Sequence, residues 1–290
     1  METIAAARNK IIRELKQAGT ESPELTADLL IGFAIERDRV FVLSHPEYPL
    51  DDDSRVRLSA LTTRRARGEP LQYLTGEREF YGRSFHVTPD VLIPRPETEI
   101  LVESAIELIC KNRKRLSPVI RLADVGTGSG CIAVSMLCEI PDAFCCAIDC
   151  SFPALTVAAQ NARRHGADGR MARLCGDLFT GVAPWECFDL ILSNPPYIAA
   201  IDYDNLPVEV REFEPGLALF GGDDGYEIYR RLIPASFERL SDGGYLLLEL
   251  GAGQAGEVER LAAKAGFLTE TIIEDLQGIP RCLAARKSCV

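Results

Sequence analysis

The chain has 290 residues, 47% hydrophobic and 26% charged, which is long enough and apolar enough for one large domain or two. Its 32 Lys and Arg stand against 43 Asp and Glu, and the net charge of −11 argues against a nucleic-acid backbone as main partner, because that contact relies on a Lys/Arg excess. Met1 to Lys10 shows no basic segment leading into an apolar one, and no run reaches the roughly 18 apolar residues of a membrane span, so a cytoplasmic protein without membrane contact is expected.

Ten cysteines without an export signal read as reduced, mostly buried small hydrophobes. Cys138, Cys145, Cys146 and Cys150 lack the paired spacing of a zinc site, only three histidines are present, and no metal is expected.

Residues 1–75 read as a small helical bundle. Ile4, Ile11, Ile12, Leu15 and Ala18 recur at helical spacing, and Ser22-Pro23 starts a second helix, with Ser22 as its cap and Leu25, Leu29, Leu30 and Phe33 as its apolar face. Leu50-Asp51-Asp52-Asp53 opens a further helix that runs through Val56, Leu58 and Leu61 to the basic run Arg64-Arg65-Ala66-Arg67. That run suits a solvated helix C-terminus, or else a contact surface for a large acidic partner. Residues 76–96 then turn β-prone around Gly82, as a hairpin linker between two domains, and Ile93-Pro94-Arg95-Pro96-Glu97-Thr98-Glu99 leads into a helix.

From residue 97 to 290 strands and helices alternate. Strands are predicted at 120–125, 144–148, 170–175, 188–193, 245–250, 268–273 and 282–286, with helices at 130–138, 151–165, 226–240 and 254–265 between them. The pattern is that of an α/β fold, a Rossmann-like, doubly wound, seven-stranded sheet, with the final two strands paired antiparallel at one edge.

Three motifs fall at strand ends, where open α/β sheets place ligands. Gly126-Thr127-Gly128-Ser129-Gly130 turns the first strand into the first helix and lets a ligand approach the backbone closely. Asp149 ends the second strand, where a carboxylate can accept both ribose hydroxyls of an adenosine group. Asp177 and Leu178 follow the third, where the one could accept an adenine amino group and the other cover the ring.

The fourth strand ends in Ser193-Asn194-Pro195-Pro196-Tyr197, a rigid corner that an NAD enzyme has no need of. Methylation of a planar nitrogen does need it. The lone pair of such a nitrogen is delocalised, so the site must orient the nitrogen and accept its N–H bonds. The Asn194 side-chain oxygen and the Pro195 carbonyl can be those acceptors, and Tyr197 can pack on the planar group and stabilise developing positive charge. Asn194, Pro195 and Tyr197 are therefore the candidate catalytic residues, and Pro196 joins them in the substrate site.

Several stretches together resemble the release-factor glutamine methyltransferases of the PrmC/HemK type. They are Arg67 to Gly76, Glu79-Phe80-Tyr81, Ile93 to Glu99, Asp124 to Gly130, Asn194 to Tyr197, Phe213-Glu214-Pro215, Gly221 to Gly225 and Gly243 to Glu249. The resemblance implies N5-methylation of the glutamine in the Gly-Gly-Gln loop of class 1 peptide-chain release factors. S-adenosylmethionine would be donor and S-adenosylhomocysteine product. It also implies a helical N-terminal domain that helps hold the release factor, ahead of a methyltransferase domain at 97–290. Carried over by position, Gly126 to Gly130 and Asp149 bind the cofactor, and Asn194 contacts both cofactor and glutamine. Some members carry an aromatic residue where this chain has Leu178, which leaves apolar cover of the adenine without stacking. A monomer with no direct nucleic-acid partner is expected. The alternatives are a DNA adenine-N6 methyltransferase, which would use the same corner, and a non-catalytic binding protein of the termination machinery.

Overall fold

A computed structural model describes residues 2–113 and 116–288. The backbone forms two compact units, Met1–Glu77 with Pro207–Phe213, and Arg78–Leu206 with Glu214–Val290.

The smaller unit has helices at Ile4–Gln17, Pro23–Ile35, Arg39–Ser44, Asp52–Ala66 and Leu71–Thr75, and a further short one at Val208–Phe213. Ile4, Ile11, Leu15, Leu30, Ile31, Leu58 and Leu61 form its core. The side chains of Thr3, Asp38 and Asp51 each accept a hydrogen bond from a first-turn backbone N–H, so three helices begin on genuine caps.

The second helix differs from expectation. Ser22 has a left-handed backbone (φ 47°) and its side chain caps nothing; Pro23 at the first position starts the helix. Its buried face is Ala27, Leu30, Ile31 and Ala34, while Leu25 and Phe33 are exposed. The segment is apolar almost all round, so periodicity alone could not select the face. The same face buries Asp28, whose carboxylate accepts from Arg8 Nε at 2.5 Å and from Arg39 Nε at 3.3 Å. In the basic run, Arg64 pairs with Glu69 at 2.5 Å and Arg65 with Glu209 at 2.9 Å, both within this unit.

The expected hairpin forms, with strands β1 (Glu77–Phe80) and β2 (Arg83–His86). Phe80 and Phe85 are fully buried in the core of the larger unit, their rings edge to face with centroids 6.0 Å apart. Burying two aromatic rings makes the hairpin part of that core.

Seven further strands form one sheet: β3 (Ile120–Val125), β4 (Ala143–Asp149), β5 (Met171–Cys175), β6 (Phe188–Ser193), β7 (Leu240–Glu249), β8 (Phe267–Glu274) and β9 (Pro280–Lys287). Their spatial order is β5-β4-β3-β6-β7-β9-β8. β3 through β7 pair in parallel, and β9 is antiparallel to both its neighbours. The final two strands thus pair antiparallel at one edge, as expected, with β8 outermost; the strand that runs against the others is β9, one in from that edge. The reason lies in its side chains: Cys282-Leu283-Ala284-Ala285 is buried on both faces, whereas β8 exposes Leu268, Glu270 and Thr271 and suits an edge.

Alternation along the strands divides the core in two. Leu122, Leu190, Leu192, Tyr245 and Leu247 face the helices Glu99–Asn112, Cys131–Glu139 and Phe152–Arg164. Ala123, Val125, Ile191, Leu246 and Leu248 face Glu227–Arg239 and Ala255–Lys264. This is a mixed α/β sheet with helices on both faces. The strand order reverses between β3 and β6, so the loops after these two strands diverge and open a crevice.

Among the described residues no helix is long and apolar enough to cross a membrane. The described cysteines are all free thiols, but they are less buried than expected: Cys131, Cys145 and Cys282 are inside, while Cys110, Cys150 and Cys175 are exposed. Cys110 lies near the end of a helix, Cys150 just past β4, and Cys175 on the edge strand β5.

Candidate active site

A cleft opens at the C-terminal ends of β3, β4 and β6. Gly126 to Ser129, Asp149, Asn194 and Pro196 line it, opposite Pro94, Arg95, Thr98 and Pro215.

The floor is the glycine loop. Gly126 N and Thr127 N both donate to Ile148 O, at 2.8 and 3.0 Å, which folds the loop over the end of β4. Gly128 N then donates to Asp149 Oδ2 at 2.8 Å, and Ser151 N donates to Asp149 Oδ1 at 2.9 Å. Asp149 thus anchors the loop and still lines the cleft. Gly130, at φ 78°, serves packing instead, since a Cβ there would lie 3.0 Å from Ala158 Cβ and glycine lets the loop and the next helix come together.

Beneath the loop Asp124 is fully buried. Its Oδ2 accepts from Thr127 Oγ1 at 2.6 Å and from Ala133 N at 3.1 Å, and its Oδ1 has no partner among the described residues. Burial pushes its carboxyl up to about 7.

The wall is the corner after β6. Ser193 Oγ donates to Val125 O at 2.6 Å, pinning the corner to the end of β3. Asn194 Nδ2 donates to Thr98 Oγ1 at 3.1 Å, and the Thr98 hydroxyl donates to Glu249 Oε2 at 2.6 Å. Tyr197 OH donates to the other oxygen of Glu249 at 3.4 Å. Glu249, at the end of β7, is only 2% exposed. Burial, followed by the charge of Glu97, raises its carboxyl to about 7 against the pull of the Thr98 and Tyr197 hydrogen bonds and of Arg281.

Further groups fix Tyr197 from behind. Gln254 Nε2 donates to its carbonyl at 3.0 Å, and Gly221 packs so close that a Cβ would sit 2.7 Å from Tyr197 Cα. At the rim, Glu214 accepts from Ile93 N at 3.2 Å and from Arg95 Nη2 at 2.6 Å, tying the segment before Thr98 to the one before Pro215.

Of the residues singled out from sequence, Gly126, Thr127, Gly128, Ser129, Asp149, Asn194 and Pro196 share one cleft. Pro195 and Tyr197 alternate with these lining residues in the same corner, Pro195 buried and Tyr197 half-buried against the core of the second face. Asp177 and Leu178 do not line it: the Asp177 carboxylate pairs with Arg231, and Leu178, at φ 51°, packs on the core of the second face.

Sequence reasoning passed over Thr98, Glu249, Arg95 and Glu214 as individual site residues. One signal was visible: Glu249 directly follows the apolar run Tyr245 to Leu248, where a carboxylate demands hydrogen-bond donors.

Residues 6–76 match the family model described as PrmC N-terminal domain, and residues 104–208 match the one described as Methyltransferase small domain. The release factor glutamine methyltransferase of Koribacter versatilis (strain Ellin345) is 39% identical over 285 residues, covering 98% of this chain and 99% of its own. That of Bradyrhizobium diazoefficiens is 41% identical over 288 residues, covering 99% of this chain and 95% of its own. The crystal structure of a methyltransferase from Pyrococcus furiosus shares the fold, with a TM-score of 0.51 at 16% identity over 82% of this chain and all of that one (100%).

Proposed function

The chain belongs to the release factor glutamine methyltransferases, and from that premise we propose that Asn194, Pro195 and Tyr197 form the acceptor site of its reaction. The enzyme transfers a methyl group from S-adenosylmethionine to a glutamine of a release factor. We read the acceptor atom as the side-chain N5 of the glutamine in the Gly-Gly-Gln loop of class 1 release factors. The sheet is read as the Rossmann-like, doubly wound form, and the N-terminal helical unit as the part that helps hold the substrate protein.

The residues around the cleft fit the cofactor. A Cβ at Gly128 would meet nothing within 4 Å, so the loop leaves room for a ligand against its backbone. Asp149 lines the cleft and supplies the carboxylate that a ribose diol needs. When bound, S-adenosylmethionine supplies an electrophilic methyl group on a positively charged sulfur. Gly126 to Ser129 and Asp149 would hold it. Contact of Asp177 with the adenine would require its carboxylate to exchange the Arg231 partner.

The single observation that carries the reading is Asn194, which stands on the same cleft as the glycine loop and Asp149. Asn194 Oδ1 and the Pro195 carbonyl oxygen accept the two N–H bonds of the substrate amide. Holding these hydrogens favours a more tetrahedral nitrogen, whose lone pair then becomes available. Alignment of nitrogen and methyl is the larger contribution, since well-oriented pairs gain up to ~7–11 kcal/mol. As the nitrogen–methyl bond forms, the sulfur–methyl bond breaks and the sulfur leaves neutral in S-adenosylhomocysteine. The nitrogen sheds one N–H proton to solvent, and since that proton becomes acidic only as the new bond forms, no base of unusual pKa is required beforehand.

Incubation with labelled S-adenosylmethionine and, separately, purified release factor and DNA tests the reading. Label on a glutamine amide nitrogen, located by mass spectrometry, supports it, and label on DNA alone contradicts it.

A further inference from the structure

Amides are ambiguous in orientation, because the oxygen and nitrogen of an Asn side chain have nearly the same shape. For Asn194 the choice matters: an acceptor must face the substrate nitrogen, and a flipped amide would present a second N–H to it. The chain Asn194–Thr98–Glu249 settles the choice by counting protons. Above about pH 7, where its raised carboxyl is ionised, Glu249 is a carboxylate with no proton and can only accept. It takes one hydrogen bond from Thr98 at 2.6 Å and one from Tyr197 at 3.4 Å. The Thr98 hydroxyl has a single proton, which Glu249 claims, so toward Asn194 it can only accept. The group facing it at 3.1 Å must therefore be Nδ2, which reserves Oδ1 as acceptor.

We infer that Thr98 and Glu249 are positioning residues for methyl transfer, a relay that fixes the Asn194 carboxamide with its oxygen available to the substrate amide. The inference rests on Asn194 being the acceptor residue. Three separate segments converge to build the relay. Thr98 ends the turn Pro96–Thr98 and Glu249 ends β7, while Asn194 follows β6. Thr98 and Glu249 are each only 2% exposed, so water cannot replace either partner freely. Tyr197 shares the same carboxylate, so one buried group orients both the amide and the ring of the corner. No contact of Glu249 with substrate is needed for this role.

Thr98→Val removes the hydroxyl with little change of shape, and Thr98→Ser restores it. In Thr98→Val we expect kcat to fall about 10- to 100-fold, the scale of a small misplacement of a reacting group. The dissociation constant of S-adenosylmethionine and the KM for release factor should both change less than about twofold, because the relay orients the reacting amide and binds neither partner. Thr98→Ser should recover most of the lost kcat. If Thr98→Val fails to fold, Glu249→Leu makes the same test: it removes the acceptor at similar volume, so the Thr98 hydroxyl proton is free to turn to Asn194 and flip the carboxamide. Wild-type kcat in Thr98→Val or in a folded Glu249→Leu, alongside an inactive Asn194→Ala, overturns the relay and leaves the acceptor reading intact. Failure of Thr98→Ser to recover kcat overturns it as well. An active Asn194→Ala overturns the acceptor reading itself, and the relay with it.

Discussion

Asn194 and Thr98 lie 96 positions apart in the chain, yet their side chains meet at 3.1 Å, Nδ2 on Oγ1. The corner after β6 is thereby joined to the proline-rich segment ahead of the first helix of the larger unit. Two stretches that look independent in sequence form one functional surface.

Asp149 accepts from the loop at Gly128 and from Ser151 and still lines the cleft. Asp149→Ala should weaken S-adenosylmethionine binding by about 1.5–3 kcal/mol, the range for charge-assisted hydrogen bonds. Isothermal titration calorimetry measures this directly. An unchanged dissociation constant removes Asp149 from the cofactor site.

Gly221 touches the backbone of the corner, with Tyr197 Cα 2.7 Å and Pro196 O 2.9 Å from where a Cβ would stand. Gly221→Ala should therefore displace the corner, costing about 1–3 kcal/mol of stability by overpacking and lowering kcat more than cofactor affinity. Chemical denaturation and steady-state kinetics together check this. Unaltered stability and turnover would mean that the corner adjusts without loss.

Glu249 gives a pH-dependent signature in stability. Its folded carboxyl is raised from 4.5 to about 7, chiefly by burial and then by Glu97, against Thr98, Tyr197 and Arg281. Its contribution to stability is therefore complete below about pH 4.5 and is lost as pH rises through about 7, by roughly 3 kcal/mol. Glu249→Gln carries no such ionisation. Relative to the wild type, the variant should become progressively more stable from pH 5 to pH 8. Denaturation curves of the two proteins at both pH values test this, and a pH-independent difference contradicts it.

The sequence spoke clearly where one local rule decided. The parallel strands follow from short apolar runs between helical segments, and the glycine loop, Asp149 and Asn194 follow from their places at strand ends. Ser151, placed just ahead of an apolar helical stretch, caps that helix by accepting from Ala154 N at 3.2 Å. What stayed hidden depended on tertiary partners. Pairing of β9 between β7 and β8 is a choice of neighbour that periodicity does not encode. The buried face of helix Pro23–Ile35 was masked by apolar residues all round. Asp177 looked like a ligand group from its strand-end position, but Arg231, 54 residues on, holds its carboxylate. Thr98 and Glu249 are ordinary residues in isolation and gain meaning only through Asn194.

The central claim is that Asn194 acts on the nitrogen receiving the methyl group. It is tested most directly in Asn194→Ala by measuring, on one preparation, the S-adenosylmethionine dissociation constant and the single-turnover rate of release-factor glutamine methylation. Cofactor affinity within about twofold of wild type, with the rate reduced by about 100-fold or more, is the expected result. Near-normal methylation by that variant would contradict it.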